Sequence, residues 1–202
     1  RWFGPAQLTA LGFLALILAG TALLSMPFAS ADGAPTALMS ALFTATSATT
    51  LTGLVTEDTG SHWSLAGQLI VLALIQAGGL GIMSITSLTG MLLTGRVKLR
   101  SRYATAAEGR PILDGGVRRT LVATLLLTFF FEGAVAVILG IRFATVYGMA
   151  PGRAAYEGVF HAISGFNNAG FGLRSDSLVS YNTDGWILIP LAGALMIGGL
   201  GY

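Results

Sequence analysis

The chain has 202 residues, of which 53% are hydrophobic and only 10% are charged, whereas charged residues make up about a quarter of an ordinary soluble domain. This composition excludes an ordinary soluble protein and predicts a membrane protein. The chain has no cysteine, which excludes a disulfide framework, thiolate catalysis and any zinc or iron–sulfur site built from cysteine.

Four apolar segments are predicted to span the bilayer. Residues 7–26 carry no charge, and a helix of that length covers about 30 Å, the hydrocarbon thickness of a membrane. Three further segments of this kind follow at residues 65–93, 120–141 and 186–202. The last of them stops inside the predicted span and the first residue is not Met, so we expect the chain to be part of a longer protein.

A basic linker between the second and third segments sets the predicted orientation. Seven of the eleven basic residues lie in residues 96–119, and the positive-inside rule assigns such a loop to the cytoplasm. We therefore expect a multi-pass protein of the plasma (inner) membrane. Along the chain we expect a first repeat (1–95), a cytoplasmic linker (96–119) and a second repeat (120–202). Because the positive charge is concentrated in the linker, the lipid bilayer is the expected partner and nucleic acid is not.

Two shorter apolar segments are predicted to enter the membrane from outside and to return to the same side. In the first, residues 35–49 form a helix of about 22 Å that begins at Pro35, a residue suited to a first helical turn, and residues 50–55 return. The same construction recurs from Pro151 onward. Non-helical backbone at membrane depth is tolerated only where it is buried in protein or lines a watery cavity. Each return segment therefore indicates a pore or a binding site.

The two hairpins belong to an internal repeat. The segment FTATSATTLTGL (43–54) aligns with FHAISGFNNAGF (160–171), and GGLG occurs at both 78–81 and 198–201. Because a span, a hairpin and a second span return the chain to its starting side, the repeats are predicted to be parallel around an axis normal to the membrane. The predicted fold class is an all-α membrane protein of tandem transmembrane helix, pore loop and transmembrane helix repeats, similar to a potassium channel.

The turn after each short helix is the predicted ion site. A helix that enters from outside directs its C-terminal carbonyl groups, and the negative end of its dipole, toward the membrane centre. The backbone carbonyls of residues 50–53 and 167–170 can there replace the hydration shell of a cation. Gly53 and Gly170 allow the backbone twist that keeps successive carbonyls pointing inward, although each glycine is also compatible with a simple helix C-cap.

The sequence resembles the Trk/Ktr/HKT superfamily of potassium-uptake proteins, with the bacterial Ktr/Trk branch nearest in pattern. The resemblance implies the first two of four membrane, pore and membrane repeats. It also implies a potassium pathway within one subunit, a homodimer, and a cytosolic nucleotide-binding regulatory ring formed by a separate chain. The segments that carry it are SATTLTGLVTEDTG (47–60), IQAGGLGIM (75–83), FHAISGFNNAGF (160–171) and MIGGLGY (196–202).

The resemblance also assigns roles to individual residues, because Gly53 and Gly170 match the filter glycines of the family. Plant members that prefer sodium have Ser at the first filter position, so Gly53 favours K⁺ as the transported ion. No organic cofactor is expected in this chain. The filter carbonyl donors implied for K⁺ are those of Thr50, Leu51, Thr52, Gly53, Asn167, Asn168, Ala169 and Gly170.

Glu132 is a further candidate, because it is the one acid in the third predicted span. A carboxylate within the bilayer is unfavourable by several kcal/mol unless it is paired, protonated or facing water. We expect either a functional acid in the permeation path or at a subunit interface, or a protonated or hydrogen-bonded structural acid. The glycines of GGLG are similarly compatible with a gating hinge or with close helix packing.

One alternative function remains open at this stage, an ion-coupled secondary transporter of a small organic substrate. Such a protein also has unwound backbone near the membrane midplane, but its repeats are typically inverted and not parallel. An enzyme is not expected. His161 and Ser164 share a helix face, yet the first hairpin has Thr44 at the position equivalent to the histidine.

Overall fold

A computed structural model describes residues 5–81 and 113–200 of the chain, and these residues are helical with no named strand. The described part is therefore all-α, as the composition and patterning predict. Single 3₁₀ turns at Pro27–Ala29 and Val179–Tyr181 lie in the connections that precede two of the helices. In chain order the α-helices are α1 (Pro5–Leu24), α2 (Leu38–Thr49), α3 (Leu65–Gly81), α4 (Leu113–Thr145), α5 (Pro151–Phe166) and α6 (Gly185–Leu200).

The helices form two sets, α1 to α3 and α4 to α6, and the middle helix of each set is short. The helix α2 packs against α1, and α5 packs against both α4 and α6. The helix α2 has 12 residues and α5 has 16, which correspond to about 18 and 24 Å, less than the thickness of a bilayer.

The predicted spans agree with the helices in position, but differ in their bounds. Within the described residues, Val122–Thr145 is the one helical segment both long and apolar enough to cross a membrane, while Thr9–Leu24, Leu65–Gly81 and Gly185–Leu200 are shorter apolar helices. The third predicted span corresponds to α4, which begins at Leu113, before the predicted start at residue 120. The predicted continuation of the second span to residue 93 and most of the basic linker lie outside the described residues.

The first short helix begins later than its sequence predicts. Ala37 has extended backbone angles of −53° and 133°, and α2 starts at Leu38, so Pro35 precedes the helix and does not open it. The extended residues bring the hydroxyl of Thr36 to 3.1 Å from His62 Nε2, a contact that a helix from Pro35 would not provide. By contrast, α5 begins at Pro151 as predicted.

Two buried clusters organise the packing, and one of them joins the two sets of helices. Val71 and Ile75 of α3 lie in one cluster with Phe160 of α5 and Phe171 of the segment that follows it. A hydrogen bond between the same helices runs from the Tyr156 hydroxyl to Gln68 Oε1, at 2.7 Å. The second cluster lies between α4, α5 and α6. The short helix of the second set is therefore seated on the first set, which brings the two turns together.

The third helix of each set is capped at its start, and the capping side chain also bonds to the first helix or to the turn that follows it. At the start of α3, the Ser64 hydroxyl accepts from a backbone N–H of the first helical turn at 3.2 Å and donates to the carbonyl oxygen of Phe28 at 2.6 Å. At the start of α6, Asp184 accepts from the backbone N–H of Trp186 at 3.0 Å and from Arg142 Nε at 2.8 Å. The hydrogen bond from Arg142 lowers the pKa of the Asp184 carboxyl below its usual range. One cap is thus neutral and the other is an ion pair.

Candidate functional site

The turns after α2 and α5 have the same unusual backbone conformation. Leu51 and Asn168 both have φ of 57°, and two residues later Gly53 and Gly170 have φ of 78° and 73°. Glycine adopts this left-handed region at no steric penalty and asparagine tolerates it, whereas a leucine there is a genuine outlier. Such strained residues persist only where the surrounding structure holds them, and they cluster at functional sites.

The hydrogen bonds of the two turns are equivalent as well. The backbone N–H of Thr52 donates to the carbonyl of Ser47 at 2.9 Å, and that of Ala169 donates to the carbonyl of Ser164 at 2.8 Å. These are the long bonds of a Schellman motif, in which the left-handed residue directly follows the helix cap. The helix-terminating residues are therefore Leu51 and Asn168, and the glycines two positions later are not the C-caps that the sequence left possible.

Positive φ alternates with negative φ along each turn. Each change in the sign of φ rotates the next peptide plane, so that successive carbonyl groups can point to one side of the segment instead of alternating. Residues 50–53 and 167–170 are thus able to present rows of carbonyl oxygens, which are the ligands that dehydrated alkali ions bind. The C-terminal ends of α2 and α5 add negative dipole charge at the same place.

The two turns meet at their glycines, which lie 117 positions apart in the sequence. A Cβ atom added to Gly53 would lie 2.8 Å from the carbonyl oxygen of Ala169 and 3.1 Å from Gly170 Cα. One added to Gly170 would lie 3.0 Å from Gly53 Cα. A side chain at either position would therefore separate the turns, in addition to straining a positive φ.

The GGLG motifs explain how the short helices are seated. A Cβ added to Gly78 of α3 would collide with the carbonyl oxygen of Thr49, the last residue of α2. A Cβ added to Gly198 of α6 would collide with the carbonyl oxygen of Phe166, the last residue of α5. These contacts support close packing as the role of both glycines, since small residues let backbones approach.

Glu132 is buried directly behind the second turn. Its side chain is only 4% exposed. Its Oε1 accepts a hydrogen bond from Asn167 Nδ2 at 2.9 Å, and its Oε2 accepts one from Gln76 Nε2 at 3.2 Å. The acid is therefore hydrogen-bonded, one of the two possibilities that the sequence left open, and one of its partners is a predicted filter residue.

The first turn has a different set of side-chain contacts. The Thr50 hydroxyl donates to the carbonyl of Thr46 at 2.8 Å and lies 2.7 Å from the Thr52 hydroxyl. Thr50 is exposed, whereas Asn167 at the equivalent position of the second turn is 2% exposed. The first turn is thus held by its own hydroxyl groups, and the second by residues of other helices.

The carboxylates in the connections on either side of α2 all serve as hydrogen-bond acceptors. Asp32 accepts from the Ser30 hydroxyl at 2.6 Å, and this bond lowers the pKa of the Asp32 carboxyl. Glu57 accepts from Ser40 at 3.1 Å, and Asp58 accepts from the backbone N–H of Ser61 at 2.8 Å. Within the described residues, no group of three or more histidine, aspartate or glutamate side chains is arranged to hold a metal ion.

Sequence reasoning did not identify Gln76 or the left-handed Leu51. A signal for Gln76 exists, since it is an uncharged amide within the apolar segment that precedes GGLG. Amide side chains inside a bilayer typically hydrogen-bond between helices. The conformation of Leu51 has no local signal, because leucine ordinarily favours a helix and avoids positive φ.

Comparison with known proteins gives one consistent result. The family model described as TrkH, cation transport protein, matches residues 7–202. The chain is 38% identical over 204 residues to Ktr system potassium uptake protein B of Bacillus subtilis, which covers 100% of this chain and 45% of that relative. It is 37% identical over 198 residues to potassium/sodium uptake protein NtpJ of Enterococcus hirae, and this match covers 98% of the chain and 44% of the relative. It is 36% identical over 200 residues to Ktr system potassium uptake protein B of Vibrio alginolyticus, and this match covers 98% of the chain and 43% of the relative. The chain spans less than half the length of these relatives.

Proposed function

Because this chain belongs to the TrkH family of cation transport proteins, we propose that it forms the first two repeats of a membrane subunit that takes up potassium ions. The family consists of membrane transport proteins and not of enzymes, and two of the relatives compared above are named as potassium uptake proteins. Potassium is the cargo of the protein, and its binding groups are the backbone carbonyls of the two turns.

One observation carries this proposal, namely that the two turns repeat one backbone conformation and meet each other. A filter for a dehydrated ion needs carbonyl oxygens that converge from symmetry-related segments. Residues 50–53 and 167–170 supply two such segments, each at the negative end of a short helix. Within one subunit, two further repeats would complete the ring of carbonyls around the ion.

The presence of Gly53 supports potassium over sodium, since sodium-preferring members of the superfamily carry serine there. The relative from Enterococcus hirae is named as a potassium/sodium uptake protein. Selectivity therefore has to be measured as K⁺ uptake relative to Na⁺ uptake. The alternative of an ion-coupled transporter for a small organic substrate has less support, because the family description names cations.

The same proposal includes the topology and the partners of the complete protein. The subunit lies in the plasma membrane, the pore loops enter from outside, and the basic linker at residues 96–119 faces the cytoplasm. The subunit pairs as a homodimer, and a cytosolic nucleotide-binding regulatory ring, formed by a separate chain, contacts it from that side. The concentration of positive charge in the linker supports this orientation.

The test is potassium-limited growth of an uptake-deficient bacterium that expresses the complete protein. We expect Gly53→Ser and Gly170→Ser each to reduce the discrimination of K⁺ from Na⁺ by roughly tenfold or more, because each adds atoms where the turns meet. Gly133→Ser is the matched control, since a Cβ at Gly133 meets nothing within 4 Å. Unchanged transport and discrimination in both filter variants would show that the carbonyl filter is assigned to the wrong residues.

A further inference from the structure

The hydrogen-bond geometry around Glu132 fixes the direction in which two amide side chains point. Both oxygens of the Glu132 carboxyl group act as acceptors here, so each amide beside it must present its NH₂ group. Asn167 directs its Nδ2 to Glu132 and, at 2.9 Å, also to the carbonyl of Ile163. Gln76 directs its Nε2 to the other carboxylate oxygen. The carboxylate therefore selects one of two orientations for each amide.

This orientation has an unfavourable consequence that the local structure tolerates. The Oδ1 atom of Asn167 is buried against Gly79 and has no hydrogen-bond partner within the described residues. A buried acceptor without a partner is unfavourable. Reversing the amide would satisfy no more atoms, since it would place Oδ1 against the carbonyl of Ile163 and the carboxylate of Glu132. The network thus holds Asn167 by two contacts that both require its NH₂ group.

The network also connects the two repeats. Gln76 belongs to α3 of the first set of helices, Glu132 belongs to α4, and Asn167 is the first residue of the second turn. The Gln76 Oε1 atom lies 3.3 Å from Asn167 Nδ2, so all three side chains contact one another. The position of the second turn is therefore set from both repeats at once.

Glu132 can be compared with a second buried acid, Glu157, in whether a basic side chain lies within ion-pair distance. Glu157 is 2% exposed and is paired with Arg153 at 2.8 Å, near the start of α5. In the described part of the chain, Glu132 has no arginine or lysine within ion-pair distance. Its two oxygens are instead bonded to amide NH₂ groups, and one of these amides is the first residue of the second turn.

From these contacts we propose that Glu132, Gln76 and Asn167 form a positioning network that sets the ion discrimination of the second turn. The proposal rests on the potassium-uptake function proposed above. None of the three side chains is required to touch the ion. They hold the backbone of residues 167–170 in the conformation that its carbonyl groups need.

The first experiment removes the acceptor without changing the shape of the side chain. In the complete protein, Glu132→Gln leaves one oxygen to accept two amide donors, so one of the two bonds is lost. We expect the ratio of K⁺ to Na⁺ uptake to fall roughly tenfold, while the amount of folded protein in the membrane is retained. Glu157→Gln is the matched control for a buried acid in the same repeat, and it should leave this ratio unchanged.

An exchange of the two side chains separates positioning from general damage. Gln76 Oε1 already lies near Asn167 Nδ2, so a carboxylate at position 76 and an amide at position 132 rebuild the same set of bonds. The double variant Gln76→Glu with Glu132→Gln is therefore expected to recover the wild-type ratio to within about threefold. If Glu132 served folding only, Glu132→Gln would lower the amount of folded protein and leave the ratio of K⁺ to Na⁺ uptake by the folded fraction unchanged.

The outcomes are distinguishable from those for the proposed function. Potassium uptake by the wild type and reduced discrimination of K⁺ from Na⁺ by Gly53→Ser both test the filter. Neither result depends on the role of Glu132. If the wild type transports K⁺ and Glu132→Gln keeps the normal ratio, the network is wrong and the function stands. If Glu132→Gln is not recovered as folded protein, the exchange variant decides. Its failure to fold or to discriminate would overturn the network.

Discussion

The first and second turns share a backbone and differ in what holds it. Both follow a short helix, both have positive φ at the first and third positions after the helix cap, and both make the same long backbone hydrogen bond. The first turn begins with the exposed Thr50, which bonds to hydroxyl and carbonyl groups next to it. The second begins with the buried Asn167, which bonds to side chains of α3 and α4.

This difference shows that equivalent backbones can be specified by unequal side chains. A local hydroxyl group stabilises a turn without linking it to the rest of the molecule, whereas a buried amide transmits the position of two other helices to it. The first turn, TLTG, and the second turn, NNAG, therefore have the same conformation but are anchored by different side-chain contacts. The two turns should respond alike to changes in shared packing and differently to changes in side-chain anchors.

The largest effect is expected where the two repeats are packed alike. Gly78→Ala and Gly198→Ala each place a methyl group against the last carbonyl of a short helix. That carbonyl belongs to backbone and cannot turn aside, so we expect a destabilisation of about 3 kcal/mol in each variant. Thermal unfolding of the purified complete protein measures it. Gly193→Ala is the control in α6, because its Cβ meets nothing within 4 Å. A large effect in one repeat and none in the other would break the equivalence.

A smaller and unequal effect is expected at the first residue of each turn. Asn167→Leu leaves one oxygen of the buried Glu132 carboxyl group without its hydrogen-bond donor, which is unfavourable by about 2 kcal/mol. Thr50→Val removes a hydroxyl from an exposed position, and its effect should stay within about 0.5 kcal/mol. Unfolding temperature and the K⁺ concentration for half-maximal uptake are measured for both. Equal losses in the two variants would contradict the difference in anchoring.

The smallest effect concerns the caps of α3 and α6, and it depends on pH. The pKa of Asp184 is lowered in the folded protein by Arg142, so its contribution to stability is present above the unfolded value of about 4. It is lost as the pH falls through the lower folded value. The difference in unfolding temperature between wild type and Asp184→Asn should therefore shrink below about pH 4. For Ser64→Ala the corresponding difference should not change with pH, since the serine does not titrate in this range. A constant difference for Asp184→Asn would exclude the ion pair as its cause.

Several local features followed from the sequence because their causes are local. The helix from Pro151 to Phe166 begins and ends at the predicted residues, since proline suits a first helical turn and the following asparagines favour a cap. The helix that was predicted from Pro35 begins at Leu38 instead. In the extended segment before it, Thr36 contacts His62, a residue of a later connection that local propensity does not include.

The candidate site was predictable in its backbone and not in its support. Gly53 and Gly170 were identified from the repeat, and both have the positive φ that only glycine adopts freely. Leu51 was identified as a carbonyl donor, but its left-handed conformation was not foreseen. Glu132 was recognised from the rarity of an acid in an apolar segment, yet its partners were not, because Gln76 and Asn167 are 56 and 35 residues away from it.

The all-α class, the order of long and short helices and the two equivalent turns could all be predicted from the sequence. These follow from apolar length, proline and glycine positions, and a repeat that can be read along the chain. The tertiary structure alone decided that the glycines of the two turns face each other and that Glu132 lies behind the second turn. Such contacts depend on how helices distant in sequence are seated on one another, and that seating is a property of side-chain packing in three dimensions, which no local pattern contains.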